Sequence, residues 1–391
     1  SAVRLVHALR GGDAGLLRGV TVGLPDVFEH PTVAKLAAWI GEQQKEDGSS
    51  AQTARPVLAR LPLSVARAGQ EHGSSSCGGA LLHPLSANQE QMLVLFDLDR
   101  TNPVYNMPTV QTHESALDAE AVHRSLLAVV ERHEVLRTHI VMPEVGSLAE
   151  PMQAVVAMSE YVLPLDVMVE AAGGETEGGE SASEFVSRLC EAPFDLHAGP
   201  WARFGLLQHS DEEGGGGSTL VLALHHIAGD AWSFGVLERE LAAVYEAAAV
   251  ADASVPSSEL CTLAGLAPLA VRYTDFAHWQ RELLAVVGDE QLEYWRAQLG
   301  ADGGPAPLDL PTDRPRPKFQ TFVGANVSVD VGKDVVSGLE ALSRQCSTTL
   351  FMTLLGCFQL LLGRYSRQER VCVGSPYAGR DEAGTEGVVG Y

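Results

Sequence analysis

Apolar and polar positions alternate in a way that predicts a strand, a loop and a helix between residues 218 and 250. STLVLALHH is an apolar, β-compatible run typical of a buried strand. FGVLERELAAVYEAAAV follows, with apolar positions at helical spacing and charged positions opposite, and Ser233 is placed to cap this helix. The apolar face comprises Phe234, Leu237, Leu241, Val244 and Tyr245. A short polar loop therefore lies between a buried strand and a helix.

Elsewhere the same patterns divide the chain into three parts. Residues 1–46 are typical of a small helical piece, with Thr32 placed to cap its last helix. Residues 47–80 are rich in Ser, Gly, Ala and polar residues, which indicates a linker. From Leu81 onward helix-like and strand-like segments alternate, so we expect a mixed α/β (α+β) fold.

Composition restricts the possible partners. The chain has 391 residues, of which 46% are hydrophobic, enough for two or three cores. Its net charge of −23 repels phosphate backbones and anionic headgroups, so we expect neither a nucleic-acid nor a membrane partner. Six scattered cysteines without a C-x-x-C pair favour reduced thiols in a cytoplasmic protein over disulfides or zinc. The chain begins inside a helical pattern, as if cut from something longer.

The polar loop contains the candidate chemistry, His225, His226 and Asp230. Histidine has an ordinary pKa of about 6.5, so it can accept and return a proton near neutrality. Alternatively, the histidines are partly buried groups satisfied by the backbone, and Asp230 merely caps a helix; spacing alone does not separate these interpretations. A metal site is disfavoured, because adjacent strand residues point apart and no second ligand cluster lies nearby in sequence.

Neighbouring segments resemble a known family. HHIAGDAWS is similar to the HHxxxDG motif of the condensation domains of nonribosomal peptide synthetases. ERHEVLRTHI (131–140) resembles their RHExLRTxF motif, YTDFAHWQREL (273–283) their Y-x-D-aromatic-A-x-W motif, and LSANQEQM (85–92), more loosely, their opening motif. Further family-like segments occur in the expected order: PVYNMP, APFDLHAGPWAR, LEYWRAQL, LDLPTDRPRP and VGSPYAGRDE.

The resemblance implies a domain organisation. Family members have two lobes, each like chloramphenicol acetyltransferase, that form a V around a tunnel. By this likeness residues 81–265 form the N-terminal lobe and residues 266–391 an incomplete C-terminal lobe. DVFEHPTVAKLAAWI resembles the last helices of a peptidyl carrier domain, so residues 1–46 would be its C-terminal part, with the attachment serine upstream of Ser1.

The resemblance also implies a reaction, in which the α-amine of an aminoacyl thioester on a downstream carrier attacks the thioester on an upstream carrier. The phosphopantetheine arms of the partner carrier domains act as substrates, and no cofactor is bound covalently in this chain. An adenylation domain is expected beside it in the parent synthetase. The alternative is a catalytically silent condensation-like module that docks carrier domains or accessory proteins.

Site roles follow from the same resemblance. His226 would accept the proton of the attacking amine or orient that amine, and His225 would support it. Asp230 would form an ion pair with Arg137 and hold the loop. Backbone N–H groups from Gly229 toward the helix start would face the oxyanion.

One residue departs from the family motif, because Ala231 stands where the motif has glycine. If this position needs a positive φ, alanine is strained by roughly 1 kcal/mol or more. If it needs close approach to the pantetheine arm, the methyl group narrows the tunnel. Activity is therefore in question at this position.

Overall fold

The computed structural model describes residues 35–40, 56–61, 80–144, 149–170, 180–209, 216–300, 304–318, 320–322 and 324–391. Most of the proposed carrier piece and linker lies outside these residues, although residues 35–40 are helical. The described residues fall into two compact units, one within Ser1–Val286 together with Ala378–Tyr391, the other within Val287–Tyr377.

The first unit contains two sheets. Their strands are β1 (Leu81–Pro84), β2 (Asn106–His113), β3 (Thr138–Val141), β4 (Met152–Val155), β5 (Leu165–Glu170), β6 (Ala202–His209) and β7 (Ser218–His225). One sheet has the order β1–β4–β3 and is antiparallel; the other has the order β2–β7–β6–β5, in which only the β5–β6 pair is parallel. All eight residues of β7 are buried between its two neighbours, which confirms the predicted strand.

The first unit also contains the helices α1 (Ala87–Leu98), α2 (Ala119–Arg132), α3 (Ala182–Glu191), α4 (Ala231–Val250), α5 (Ser257–Leu263) and the start of α6 (Tyr273–Leu299). Helix α1 begins with a capping box, because Ser86 Oγ accepts from the Gln89 N–H and Gln89 Oε1 from the Ser86 N–H. Helix α4 packs on α2. The predicted apolar face of α4 is confirmed. Leu237, Leu241 and Val244 belong to the main core, and Phe234 and Tyr245 are partly buried against it.

The first unit extends beyond residue 265, where the resemblance places the boundary between lobes. The hydrophobic cluster that contains the sheet residues also includes Val271 and Tyr273. Two residues of the distant C-terminal segment, Val388 and Val389, belong to it as well. Burial of these side chains therefore joins both segments to the first core.

A short stretch of the predicted linker, residues 56–61, lies against the start of α6. The Leu61 N–H donates to Asp275 Oδ1 (3.1 Å), and Arg272 Nη2 donates to the Leu61 carbonyl (3.0 Å). Trp279 Nε1 donates to the Pro56 carbonyl (2.9 Å). These bonds satisfy backbone groups of the stretch and hold it on the first unit.

The second unit holds the rest of α6, then α7 (Lys333–Gln345) and α8 (Leu350–Ser366), which pack on each other. No strand occurs among its described residues. Within the described chain no single helix is long and apolar enough to cross a bilayer, whereas α7 and α8 together, bent by 105°, pass the same test of length and composition.

Candidate active site

His226 follows directly after β7 and begins a single 3₁₀ turn, His226–Ala228. Its Nδ1 lies 2.9 Å from the Gly229 carbonyl oxygen. A carbonyl oxygen can only accept, so Nδ1 carries the proton, and Nε2 of the neutral imidazole is the nitrogen with a free lone pair. The side chain is only partly buried. The loop thus presents an oriented imidazole, and no hydrogen bond to its Nε2 is found among the described residues.

His225 has a different environment. It is buried, and its Nδ1 accepts from the Ile227 N–H at 3.1 Å. Its ring lies near those of Tyr105 and Phe194, at centroid distances of 6.2 and 6.1 Å. Burial, followed by the charge of His226, lowers the pKa of His225 to about 4. A residue kept neutral and bonded to the backbone has a structural role in this loop.

Asp230 is the N-cap of α4. Its Oδ1 accepts from the Ser233 N–H and from Ser233 Oγ, both at 2.8 Å. Its other oxygen lies 3.3 Å from Arg380 Nη2. The expected ion pair with Arg137 is therefore wrong. The expected cap at Ser233 is also wrong, because the helix begins at Ala231 and Ser233 lies within its first turn, whereas the alternative interpretation of Asp230 as the cap is confirmed.

Arg137 lies instead in the 3₁₀ turn Glu134–Arg137, where it is buried. Its Nη1 donates to the carbonyl of Val156, just past β4, and its Nη2 lies 3.9 Å from Glu134 Oε1. Burial lowers the pKa of this guanidinium, an effect that the neighbouring Glu134 charge opposes. Arg137 thus ties the turn to β4 and does not reach the histidine loop.

The segment containing Arg137 does hold α4, but at another position. His133 Nε2 and Arg132 Nε lie 2.8 and 2.9 Å from the same oxygen, Glu240 Oε2. Burial of Glu240 raises its pKa, but the hydrogen bonds and charges of these two partners outweigh that effect and leave the pKa below its ordinary value. A buried, paired carboxylate therefore joins the end of α2 to the middle of α4.

Gly229 and Ala231 also differ from expectation. The Gly229 N–H points to the His226 carbonyl at 3.4 Å, a contact within the loop. The role of the N–H groups from Gly229 toward the helix start at an oxyanion stays a prediction. Ala231 is the exposed first residue of α4 and is not among the residues with positive φ, so the condition under which alanine would be strained here is not met. The expectation that its methyl group narrows the tunnel, if this position lies close to the pantetheine arm, stays a prediction.

Sequence reasoning missed three residues around this loop, Arg380, Gly390 and Tyr391, and it named Ser233 only as a helix cap. The Tyr391 ring meets that of His226 in a T-shaped contact, with centroids 4.3 Å apart. Arg380 lies in VGSPYAGRDE, a segment already quoted as family-like, but its contact with Asp230 spans 150 positions. Within the described chain no group of three or more His, Cys, Asp or Glu residues could hold a metal ion.

A family model described as the condensation domain matches residues 82–391. The chain belongs to the condensation domain family. This condensation domain is 36% identical to linear gramicidin synthase subunits D and C of Brevibacillus parabrevis, over 95% of its own length but only 6% and 4% of theirs.

Solved structures agree on the fold. The complex of the X-domain and OxyB from teicoplanin biosynthesis matches with a TM-score of 0.63 at 21% identity, covering 87% of this chain and 66% of that one. The first condensation domain of the calcium-dependent antibiotic synthetase, in complex with a substrate analogue, matches with a TM-score of 0.60 at 20% identity, covering 79% and 67%. The α/β condensation fold expected from the motifs is confirmed, whereas the preceding carrier domain stays a prediction.

Proposed function

We propose that this condensation domain forms amide bonds between two carrier-bound thioesters within a larger synthetase. The observation that carries the proposal is the orientation of His226, whose Nδ1–H is held by the Gly229 carbonyl while Nε2 keeps its lone pair. Membership of the condensation family supports amide formation as the reaction in which this base takes part.

In the proposed step, the α-amine nitrogen of the downstream aminoacyl thioester bonds to the thioester carbon on the upstream carrier. The proton that the amine loses passes to His226 Nε2. The carbon–sulfur bond then breaks, and the departing thiolate takes that proton. The products are an amide on the downstream carrier and a free thiol on the upstream one, so atoms and charges balance.

Positioning supplies much of the rate in this scheme. Well-oriented reactants can gain about 7–11 kcal/mol relative to free collision, and two tethered phosphopantetheine arms would provide that orientation. The relatives support the multidomain setting, because the chain spans only a few per cent of their length. We place upstream and downstream carriers and an adenylation domain as partners, residues 1–46 as part of a carrier, and the synthetase in the cytoplasm.

The test is His226→Ala in the synthetase that contains this chain, with both carriers loaded. We expect amide formation to fall about 10²- to 10⁴-fold, the range for a positioned acid–base group, while carrier loading is unchanged. The matched control is His209→Gln, because His209 lies at the opposite end of the same sheet and bonds to Glu170 and Thr219.

Two results would contradict the proposal. A normal amide-forming rate in the His226→Ala variant would show that this imidazole is not used. A parent protein that binds loaded carriers without forming an amide would favour the silent docking module.

A further inference from the structure

The chain segment from Glu386 to Tyr391 crosses the start of α4 beside the histidine loop. Trp232 Nε1 donates to the Glu386 carbonyl at 2.9 Å. Arg380 Nη2 donates to the Gly390 carbonyl at 2.8 Å, and the Tyr273 hydroxyl donates to the main-chain oxygen of Tyr391. The segment is thus attached to the first unit through its backbone.

Ser233 is at the centre of these contacts and is fully buried. Its hydroxyl lies 2.8 Å from Asp230 Oδ1 and 3.0 Å from the Gly390 carbonyl, and either oxygen can accept its proton. The same hydroxyl accepts from the Gly390 N–H at 3.2 Å. One side chain therefore connects the helix cap to both backbone groups of Gly390.

Gly390 also packs directly against an aromatic ring. A Cβ at this position would lie 1.9 Å from Tyr273 Cδ2, a distance that no side chain tolerates. The absence of a side chain thus lets the backbone lie on Tyr273, whose hydroxyl bonds to the next residue and also lies 2.8 Å from Ser86 Oγ. The position of Tyr391 is consequently determined by Ser233, which bonds to the backbone of Gly390, and by Tyr273, which packs on Gly390 and bonds to the main chain of Tyr391.

We propose that Tyr391 is a positioning residue for His226 and that the Ser233 hydroxyl holds Tyr391 in place. This inference rests on the proposed function, because His226 is the base being positioned. The Gly229 carbonyl fixes the Nδ1 end of the imidazole, and the Tyr391 ring, in edge contact at 4.3 Å between centroids, restricts its tilt. The Gly229 carbonyl and the Tyr391 ring together hold the imidazole in one orientation, which the attacking amine of the substrate then approaches.

The first experiment substitutes the aromatic ring. Tyr391→Leu should lower kcat for amide formation about 10- to 100-fold, since a displacement of about 1 Å can cost 100-fold, with little change in KM for the loaded carriers. Tyr391→Phe should restore most of that loss, because the contact uses the ring and the main chain. Ser233→Ala should act in the same direction as Tyr391→Leu, and the double variant should be less than additive.

A second readout does not depend on catalysis. Nitrogen-15 NMR of the His226 imidazole should show a single Nδ1–H tautomer in the parent and in Tyr391→Phe, but mixed or exchange-broadened signals in Tyr391→Leu. Tyr294→Leu, at an exposed tyrosine of the second unit, is the control and should change neither readout.

The two readouts separate the proposals. An unchanged kcat together with an unchanged imidazole spectrum in Tyr391→Leu would overturn the positioning role. If His226→Ala keeps its rate while Tyr391→Leu still alters the spectrum, the contact stands and the proposed function fails instead.

Discussion

The ion pair between Asp230 and Arg380 allows a quantitative test of how the histidine loop is held. Their side chains are 18% and 11% exposed, between a surface pair and a buried one. Surface pairs contribute about 0–1 kcal/mol, and breaking a fully buried pair costs about 3–5 kcal/mol. We therefore expect Asp230→Asn, which removes the charge but keeps a good N-cap, to lower the free energy of unfolding by about 1–3 kcal/mol.

Asp230→Ala removes the cap as well, which typically costs about 1 kcal/mol more. We expect its total loss of unfolding free energy to be about 2–4 kcal/mol. Urea unfolding followed by tryptophan fluorescence measures these values, because Trp201 is buried in the first unit and Trp232 bonds to the Glu386 carbonyl. Arg380→Met, with Asp230→Asn, completes a double-mutant cycle.

The cycle should give a coupling energy of at least about 1 kcal/mol between the two residues. A parallel cycle with Arg137→Met should be additive, because Arg137 bonds to the Val156 carbonyl and not to Asp230. Coupling to Arg137 without coupling to Arg380 would refute the arrangement and restore the ion pair expected from the sequence.

Three further predictions concern stability. The pKa of His225 is about 4 in the folded state and about 6.5 in the unfolded chain, so between these pH values the unfolded chain binds an extra proton and the unfolding free energy should fall as the pH drops. In urea titrations at several pH values, His225→Gln should flatten this slope. An unchanged slope would contradict the assigned burial. Glu240→Gln should lower the unfolding free energy by about 3 kcal/mol, because it leaves Arg132 without its charged partner. The control Glu238→Gln, on the exposed side of the same helix, should lower it by less than about 1 kcal/mol. Equal effects of the two substitutions would argue against the buried pair. Ala231→Gly should lower the melting temperature, since glycine costs about 0.5–1 kcal/mol in a helix, while a rise would indicate a strained backbone.

Local elements of the site could be predicted from the sequence because local physics decides them. β7 is apolar throughout and lies buried in the middle of a sheet, and the apolar spacing of α4 identified the face that packs on the core. The start of α4 was harder to predict. Both Asp230 and Ser233 are good N-cap residues, and the pattern of apolar positions does not choose between them.

Contacts between distant segments could not be predicted in this way. The apolar pattern of α4 did not single out Glu240, yet this residue is buried, because Arg132 and His133 at the end of α2 meet its carboxylate. Arg380 is likewise separated from Asp230 by 150 positions, so no local spacing indicates their pairing. Such contacts depend on topology, which hydrophobic patterning constrains only weakly.

The motif residues themselves mostly hold the structure together. Ser86 caps α1 and contacts the Tyr273 hydroxyl, Arg132 binds Glu240, and Asp230 caps α4. Conserving these contacts would be required of a silent docking module as much as of an enzyme, so the motifs alone cannot decide between the two. His226 is different, because the loop fixes its Nδ1 while no hydrogen bond from the described part of the chain engages its Nε2. The case for catalysis therefore rests on this one imidazole, and the experiments at His226 and Tyr391 address it directly.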